Sequence, residues 1–176
     1  MIKSELLRYK KMEIDSFTNT LIDLHKKLVD PENYSMFQDY FQSDKEVLEI
    51  VDRLFKDLKH HIYKEEKILF PYLINLSKTK RKEIPFEKPY FETVKNPVEI
   101  MKADHEQINE NIKRLNEFIE NEVSILEKET ENIKKIKNFI GYVEKVIYLE
   151  NKILFPNAIT LENKFLTLSK WKDTKH

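Results

Sequence analysis

The sequence contains no cysteine among its 176 residues. Disulfide bridges, thiolate nucleophiles and cysteine-ligated zinc or iron–sulfur sites are therefore excluded. A metal site in this chain would have to use histidine, carboxylate, tyrosine or water, which suits iron, manganese or zinc.

Glycine is almost absent as well, since the chain has one glycine and six prolines. β-Sandwiches, Rossmann folds and phosphate-binding loops need glycine in their turns. The scarcity argues against all three and favours an all-helical fold. The length is close to that of one ordinary domain.

Neither a net charge nor a long hydrophobic run is present. Lys+Arg and Asp+Glu number 31 each, so the composition gives no indication of a basic surface for nucleic acid. No apolar run approaches the roughly 18 residues of a membrane span, and the first residues lack the apolar core of a signal peptide. We therefore expect a cytoplasmic protein that binds neither nucleic acid nor membrane.

What the chain does contain is an internal repeat. The segment Ile62–Pro71 recurs 85 residues later as Ile147–Pro156, with eight of ten positions identical. Such agreement indicates a duplication. In the first copy His61 precedes Glu65 by four residues, which places both side chains on one face of a helix. The second copy keeps Glu150 but has Val146 in the position of the histidine.

Apolar residues recur at steps of three and four over four long segments, which predicts four long helices. Their approximate bounds are Ser4–Val29, Ser43–Leu76, Pro97–Leu126 and Ile133–Leu154, with Ser43 as an N-cap in a capping box. Asp30 is predicted to cap a short helix between the first two. Lys78–Asn96 is predicted to be a loop, and Glu127–Glu131 a polar turn.

These segments predict one domain over residues 1–176. Two related hairpins, about 4–77 and 97–160, would form an up-down-up-down four-helix bundle. A short terminal helix, about 161–172, would pack across one end. His25 and His105 occupy corresponding positions in the two hairpins, because each is followed by an apolar residue three positions later.

Five polar side chains consequently lie on inward-facing stripes: His25, His61, Glu65, His105 and Glu150. Carboxylates are rarely buried unless they are paired or bound to a metal. Two inward glutamates would repel each other, and metal cations would remove that penalty while using the histidines. Helical bundles hold di-iron and di-manganese centres in this way. Tyr63 and Tyr148 are expected to pack nearby or to hydrogen-bond a ligand carboxylate.

The segment His61–Pro71 resembles the signature of hemerythrin-like (HHE cation-binding) domains. Glu150–Pro156 and Met101–His105 resemble the second half of that signature. The resemblance covers about residues 15–160, and its closest variant is the bacterial di-iron proteins implicated in repair of iron centres. It implies a four-helix bundle in which four or five histidines and two bridging carboxylates hold a non-haem di-iron site.

By position, the resemblance assigns His61, Glu65, His105 and Glu150 as metal ligands, and His25 by position and periodicity. The chain departs from the family at Val146, where the family has a histidine. Moreover, no segment resembles the small cysteine-bearing N-terminal domain of the repair proteins. Because valine cannot donate to a metal, one of the two ions is expected to bind weakly.

Three functions remain open at this stage. The resemblance implies a di-iron protein that binds or senses a small diatomic ligand, O2 or NO, or that handles iron, with manganese or zinc as other candidate metals. The second is a degenerate, metal-free bundle acting as a structural or interaction module, which Val146 supports. The third is a di-iron enzyme of oxidase or peroxidase type.

Overall fold

The computed structural model describes residues 3–126 and 129–173, which form helices and no strand. The helices are α1 (Lys3–Lys11), α2 (Ile14–Leu28), α3 (Pro31–Tyr40), α4 (Lys45–Lys64), α5 (Phe70–Lys80), α6 (Lys95–Leu126), α7 (Glu131–Leu149) and α8 (Phe155–Asp173). Two π-helical turns, Glu65–Leu69 and Glu150–Leu154, join α4 to α5 and α7 to α8. The all-helical fold class is confirmed. None of the described helices is both long enough and apolar enough to span a bilayer.

A single hydrophobic core draws side chains from all the long helices. Leu21 of α2, Leu54 of α4, Leu115 of α6 and Val143 of α7 are fully buried in it. Burying a side chain of this kind stabilises a fold by about 1.5–3 kcal/mol. The predicted inner stripes of the helices are therefore the faces that pack together.

The first long helix is broken, contrary to the continuous helix predicted over Ser4–Val29. Glu13 has an extended backbone (φ −65°, ψ 150°) and precedes the first residue of α2. Tyr9 of α1 stacks on Phe17 of α2 with ring centroids 5.3 Å apart. This contact requires α1 to turn away from the line of α2, so packing overrides the helical periodicity here.

The helix starts show one correct and one wrong prediction. Asp30 caps α3 as predicted, since its carboxylate accepts a hydrogen bond from the Glu32 backbone N–H (3.0 Å). At α4 the predicted cap Ser43 is wrong. Asp44 caps that helix instead, accepting from the Val47 N–H (3.1 Å). Serine and aspartate both make good caps, so the predicted cap position was one residue before the actual one.

The two π-helical turns occupy equivalent places in the duplication, and the two copies share the residues that begin and follow each turn. Each begins at a glutamate, Glu65 or Glu150, and each is followed two residues later by a proline, Pro71 or Pro156. Proline has no N–H and its ring clashes with the preceding helical turn. A wider turn relieves that clash, and such turns often occur at functional sites.

The last helix of the chain is longer than predicted. Instead of a separate terminal helix at about 161–172, α8 begins at Phe155, directly after the π-helical turn. Its residue Glu162 is fully buried. It accepts hydrogen bonds from Tyr72 Oη (2.7 Å), Thr93 Oγ1 (2.5 Å) and Val94 N (2.8 Å). These bonds attach the connection between α5 and α6 to the bundle.

The structure describes all of one predicted connection and part of the other. The loop predicted over Lys78–Asn96 is present but shorter, because α5 extends to Lys80 and α6 begins at Lys95. Of the turn predicted over Glu127–Glu131, residues 127 and 128 lie outside the described residues. Thr130 caps α7 by accepting a hydrogen bond from the Ile133 N–H (3.3 Å).

Candidate metal centre

All five predicted site residues meet in the core of the bundle. α2, α4 and α6 supply one histidine each, and the two π-helical turns each open with a glutamate. None is more than 4% exposed. One ligand atom from each of His61, Glu65, His105 and Glu150 lies within 4.8 Å of the others. His25 Nε2 lies 3.0 Å from Glu150 Oε1 and 3.4 Å from Glu65 Oε2.

The cluster has two sides. On one side His61 Nε2 and His105 Nε2 are 2.9 Å apart, and His105 Nε2 is 3.1 Å from Glu150 Oε2. On the other side His25 contacts the second oxygen of the same carboxylate, Oε1. Glu150 thus presents one oxygen to each side, as a carboxylate that bridges two cations does. Glu65 Oε2 lies 3.4 Å from both His25 Nε2 and His61 Nε2.

The outer nitrogen of every ring is held by an oxygen acceptor. The Nδ1 contacts are Glu66 Oε1 for His25 (3.3 Å), Asp104 Oδ2 for His61 (3.3 Å) and Asn151 Oδ1 for His105 (3.1 Å). A neutral imidazole that donates through Nδ1 keeps its lone pair on Nε2. With Nδ1 held by these acceptors, all three rings present Nε2 to the glutamates, which is the orientation of metal-ligating histidines.

Buried oxygens in this cluster lack donors. Neither oxygen of Glu65 receives a hydrogen bond, and neither does Oε2 of Glu150. The 3.1 Å contact from His105 Nε2 to that oxygen is an ion-pair distance and not a hydrogen bond. An ionised carboxylate without a partner is very costly inside a protein. Imidazole nitrogens and unsatisfied carboxylate oxygens that face one another at these distances are groups that a bound cation would coordinate, so the residues fit a metal.

The two carboxylates differ in their proton affinity. Burial and the adjacent charge of Glu150 raise the pKa of Glu65 well above its ordinary value. Burial also acts to raise the pKa of Glu150, but the imidazoles of His105 and His25 outweigh it and hold that pKa well below its ordinary value. Burial lowers the pKa of His61, against the opposing effect of Asp104. Of these two adjacent buried carboxylates, Glu150 is therefore the one that ionises readily and Glu65 the one that resists ionisation.

In each copy of the duplication, a phenylalanine ring stacks on one of the site histidines. Phe70 stacks on His25 (centroids 5.5 Å apart, 16° between planes) and Phe155 stacks on His105 (6.0 Å, 8°). The two phenylalanines occupy the same position of the repeat, and both are buried in the core. They fix the ring planes and exclude water from one face of each imidazole.

The acceptors of the outer nitrogens were not predicted from the sequence. Glu66 and Asn151 each directly follow a site glutamate, and Asp104 directly precedes His105. Glu66 and Asn151 occupy equivalent positions of the repeat, and this equivalence could have identified them. Asp104 gave no such signal, because a leucine, Leu24, occupies the corresponding position.

The tyrosines of the repeat do not contribute to the site. Tyr63 is 63% exposed and Tyr148 is 41% exposed, so the prediction that they pack near the site or bond a ligand carboxylate is wrong. Each stands two residues after the position occupied by His61 or Val146, which turns it towards the opposite side of the helix.

The family model of the hemerythrin HHE cation binding domain matches residues 16–158. The chain belongs to this family. No curated protein and no solved structure matches it. The family match spans the whole of the site, from α2 to the second π-helical turn, and the buried His/Glu cluster is compatible with the cation binding from which the domain takes its name.

Proposed function

We propose that this hemerythrin-family domain holds two iron ions without haem and uses them to bind or sense O2 or NO, or to handle iron. His25, His61, Glu65, His105 and Glu150 are the proposed ligands. The observation that carries the proposal is the convergence of three histidine Nε2 atoms on two buried carboxylates, three of whose four oxygens receive no hydrogen bond. We further propose that α2, α4, α6 and α7 run up-down-up-down, as the two related hairpins predict.

The geometry supports two ion positions. One lies at His61 and His105, whose Nε2 atoms are 2.9 Å apart, and the other at His25. Glu65 and Glu150 reach both positions and neutralise charge there. Bound iron would supply a redox-active Lewis acid with positions open to a small ligand. The same nitrogen and oxygen donors also suit manganese or zinc.

The chain's own residues prepare the site for that role. The acceptors at the outer nitrogens keep the rings in one tautomer and one orientation. The buried phenylalanines keep water away from the imidazole faces. Three histidines rather than the family's four or five leave more coordination free, which favours access by a ligand over closed storage of metal. The likeness to the di-iron proteins implicated in repair of iron centres is part of this proposal.

Metal analysis of the purified protein tests the proposal. The chain is purified anaerobically with ferrous iron, and its metal content and its absorption spectrum after exposure to air are recorded. We expect up to two irons per chain and ligand-to-iron charge-transfer bands. A protein that binds no iron, manganese or zinc under these conditions would contradict it.

Val146 favours a second candidate, a metal-free bundle that serves as a structural or interaction module. On that hypothesis a chelator leaves the melting temperature unchanged. The two unsatisfied oxygens of Glu65 argue against it, since a metal-free core gains nothing from them. Steady turnover of peroxide or NO by the iron-loaded protein would instead identify an enzyme.

A further inference from the structure

The duplication relates the two halves of the site residue by residue. His25 corresponds to His105, and the surrounding burial supports this pairing. Leu21, His25 and Leu28 are buried in α2, and the residues 80 positions later, Met101, His105 and Ile108, are buried in α6. Likewise the first repeat segment corresponds to the second at a distance of 85 positions. The halves can therefore be compared at every site position.

On the side of the site that holds His61, a chain of polar side chains leads from the surface to the buried imidazole. Lys64 Nζ forms an ion pair with Asp104 Oδ2, and the same oxygen lies 3.3 Å from His61 Nδ1. Lys64 is 33% exposed and Asp104 is 26% exposed, whereas His61 is 4% exposed. The lysine thus fixes the carboxylate, and the carboxylate fixes the imidazole that faces the glutamates.

On the opposite side of the site, the three corresponding positions are all apolar. Leu24 stands for Asp104, Val146 for His61 and Leu149 for Lys64. Val146 is 2% exposed and Leu149 is fully buried, and Leu24 packs against the same core. All three positions therefore differ together: what is a hydrogen-bonded chain at Lys64, Asp104 and His61 is core packing at the corresponding positions.

We propose that Lys64, Asp104 and His61 act as one unit that holds one ion tightly, and that the second ion position is weak because this entire unit is missing there. Asp104 and Lys64 are positioning residues for His61. The inference rests on the proposed function, because it concerns the affinities of the same two ion positions. It implies that a histidine at position 146 does not restore the second ion unless an acceptor for its Nδ1 is restored as well.

Ferrous iron titrated anaerobically into four proteins tests this: the wild type, Val146→His, Leu24→Asp and the double variant. Bound-metal stoichiometry and the two dissociation constants are measured. In the wild type we expect the second ion to bind at least about tenfold more weakly than the first, because its position lacks both a ligand and the residues that support that ligand, and such support alone is worth about 10–100-fold in affinity. Each single variant should change the second affinity by less than about threefold, and the double variant should raise it by about tenfold or more.

A second pair of variants tests the unit where it exists. Asp104→Leu should weaken the tighter ion by about tenfold or more, while Asp104→Asn should keep most of the affinity. An amide oxygen suffices as the acceptor, because Asn151 holds His105 in that way (3.1 Å). Circular dichroism verifies that each variant folds, and this pair decides the question even if the double variant does not fold.

The outcomes separate the two proposals. If Val146→His alone binds the second ion as tightly as the double variant, or if Asp104→Leu binds the first ion like the wild type, the inference is overturned while the metal site stands. If the wild type binds no iron at all, the proposed function is overturned and the inference with it.

Discussion

Two buried glutamates in this protein have opposite surroundings. Glu65, at the centre of the bundle, and Glu162, beneath the connection between α5 and α6, are both fully buried. Glu162 accepts hydrogen bonds from Tyr72, Thr93 and the Val94 backbone. Glu65 accepts none, and its Oε2 lies 3.4 Å from the Nε2 atoms of both His25 and His61.

The comparison shows that burial of a carboxylate does not by itself indicate a metal. A buried charge is tolerated when donors surround it, and Glu162 has three of them. Around Glu65 lie a second carboxylate and two imidazole nitrogens that make no hydrogen bond to it. Only the latter arrangement offers unsatisfied oxygens to a cation from outside the chain. The supply of donors, rather than burial, separates the structural carboxylate from the candidate ligand.

The largest expected effect is on bound metal. Glu65→Ala and Glu150→Ala should each lose most of it, because each removes a carboxylate that reaches both proposed ion positions. Glu162→Ala is the matched control, since it deletes an equally buried carboxylate and should keep the wild-type stoichiometry. Metal content per folded chain decides the matter. Wild-type stoichiometry in both of the first two variants would mean that the site is elsewhere.

The reverse order is expected for the stability of the fold. Glu162→Ala leaves the Tyr72 hydroxyl and the Val94 N–H without their acceptor, and should lower the free energy of unfolding by about 3 kcal/mol. Tyr72→Phe removes a single hydrogen bond to the same carboxylate and should cost about 1 kcal/mol. Denaturant titration measures both. An unchanged midpoint in Glu162→Ala would show that its three hydrogen bonds do not hold the connection in place.

Metal removal should act only through the centre of the bundle. A ligand that binds the folded state alone stabilises it by about 2.7 kcal/mol at a hundredfold excess over its dissociation constant. A chelator should therefore lower the melting temperature of the metal-loaded wild type. The same chelator should leave Glu65→Ala unaffected. If the chelator lowered the melting temperatures of both proteins equally, the metal that stabilises the fold would not be bound at the proposed site.

The sequence predicted the centre of the site well because its signal is local. A histidine and a glutamate one helical turn apart, repeated in part 85 residues later, lie on stripes that are otherwise apolar. Polar residues on such a stripe must be buried. All five predicted residues are buried together, although their role as ligands stays a prediction. The broken first helix and the start of α4 were missed because tertiary contacts and neighbouring cap residues decide them.

The supporting residues could not be identified in the same way. Asp104, Glu66 and Lys64 are part-exposed charged residues in a chain of which 35% is charged. Sequence alone does not distinguish an acceptor opposite a ring nitrogen from a solvated surface group. Glu162 raises the same problem, because its three donors come from segments up to 90 residues away. Which donors and acceptors meet depends on the packing of the bundle.

The smallest expected effect is on the metal-free protein, where removing a charge at the centre should be favourable. In that state Glu65→Gln should raise the free energy of unfolding near pH 7 by about 1 kcal/mol, although the same change should weaken metal binding. The reason is that burial and the charge of Glu150 raise the pKa of Glu65 above its ordinary value of 4.5.

The sign of the pH dependence follows from that direction. A group whose folded pKa is raised contributes stability that is present below its unfolded pKa and is lost as the pH rises through the folded pKa. The advantage of Glu65→Gln over the wild type should therefore be absent below pH 4.5, the ordinary pKa of the group, and grow towards neutral pH. Glu150→Gln should have the opposite sign, because the folded pKa of Glu150 is lowered and its ionised form stabilises the fold above its unfolded pKa. Chemical denaturation of the three metal-free proteins between acid and neutral pH measures both differences. Equal signs for the two variants would show that the metal-free centre does not divide its charge between one carboxylate that resists ionisation and one that the imidazoles hold ionised.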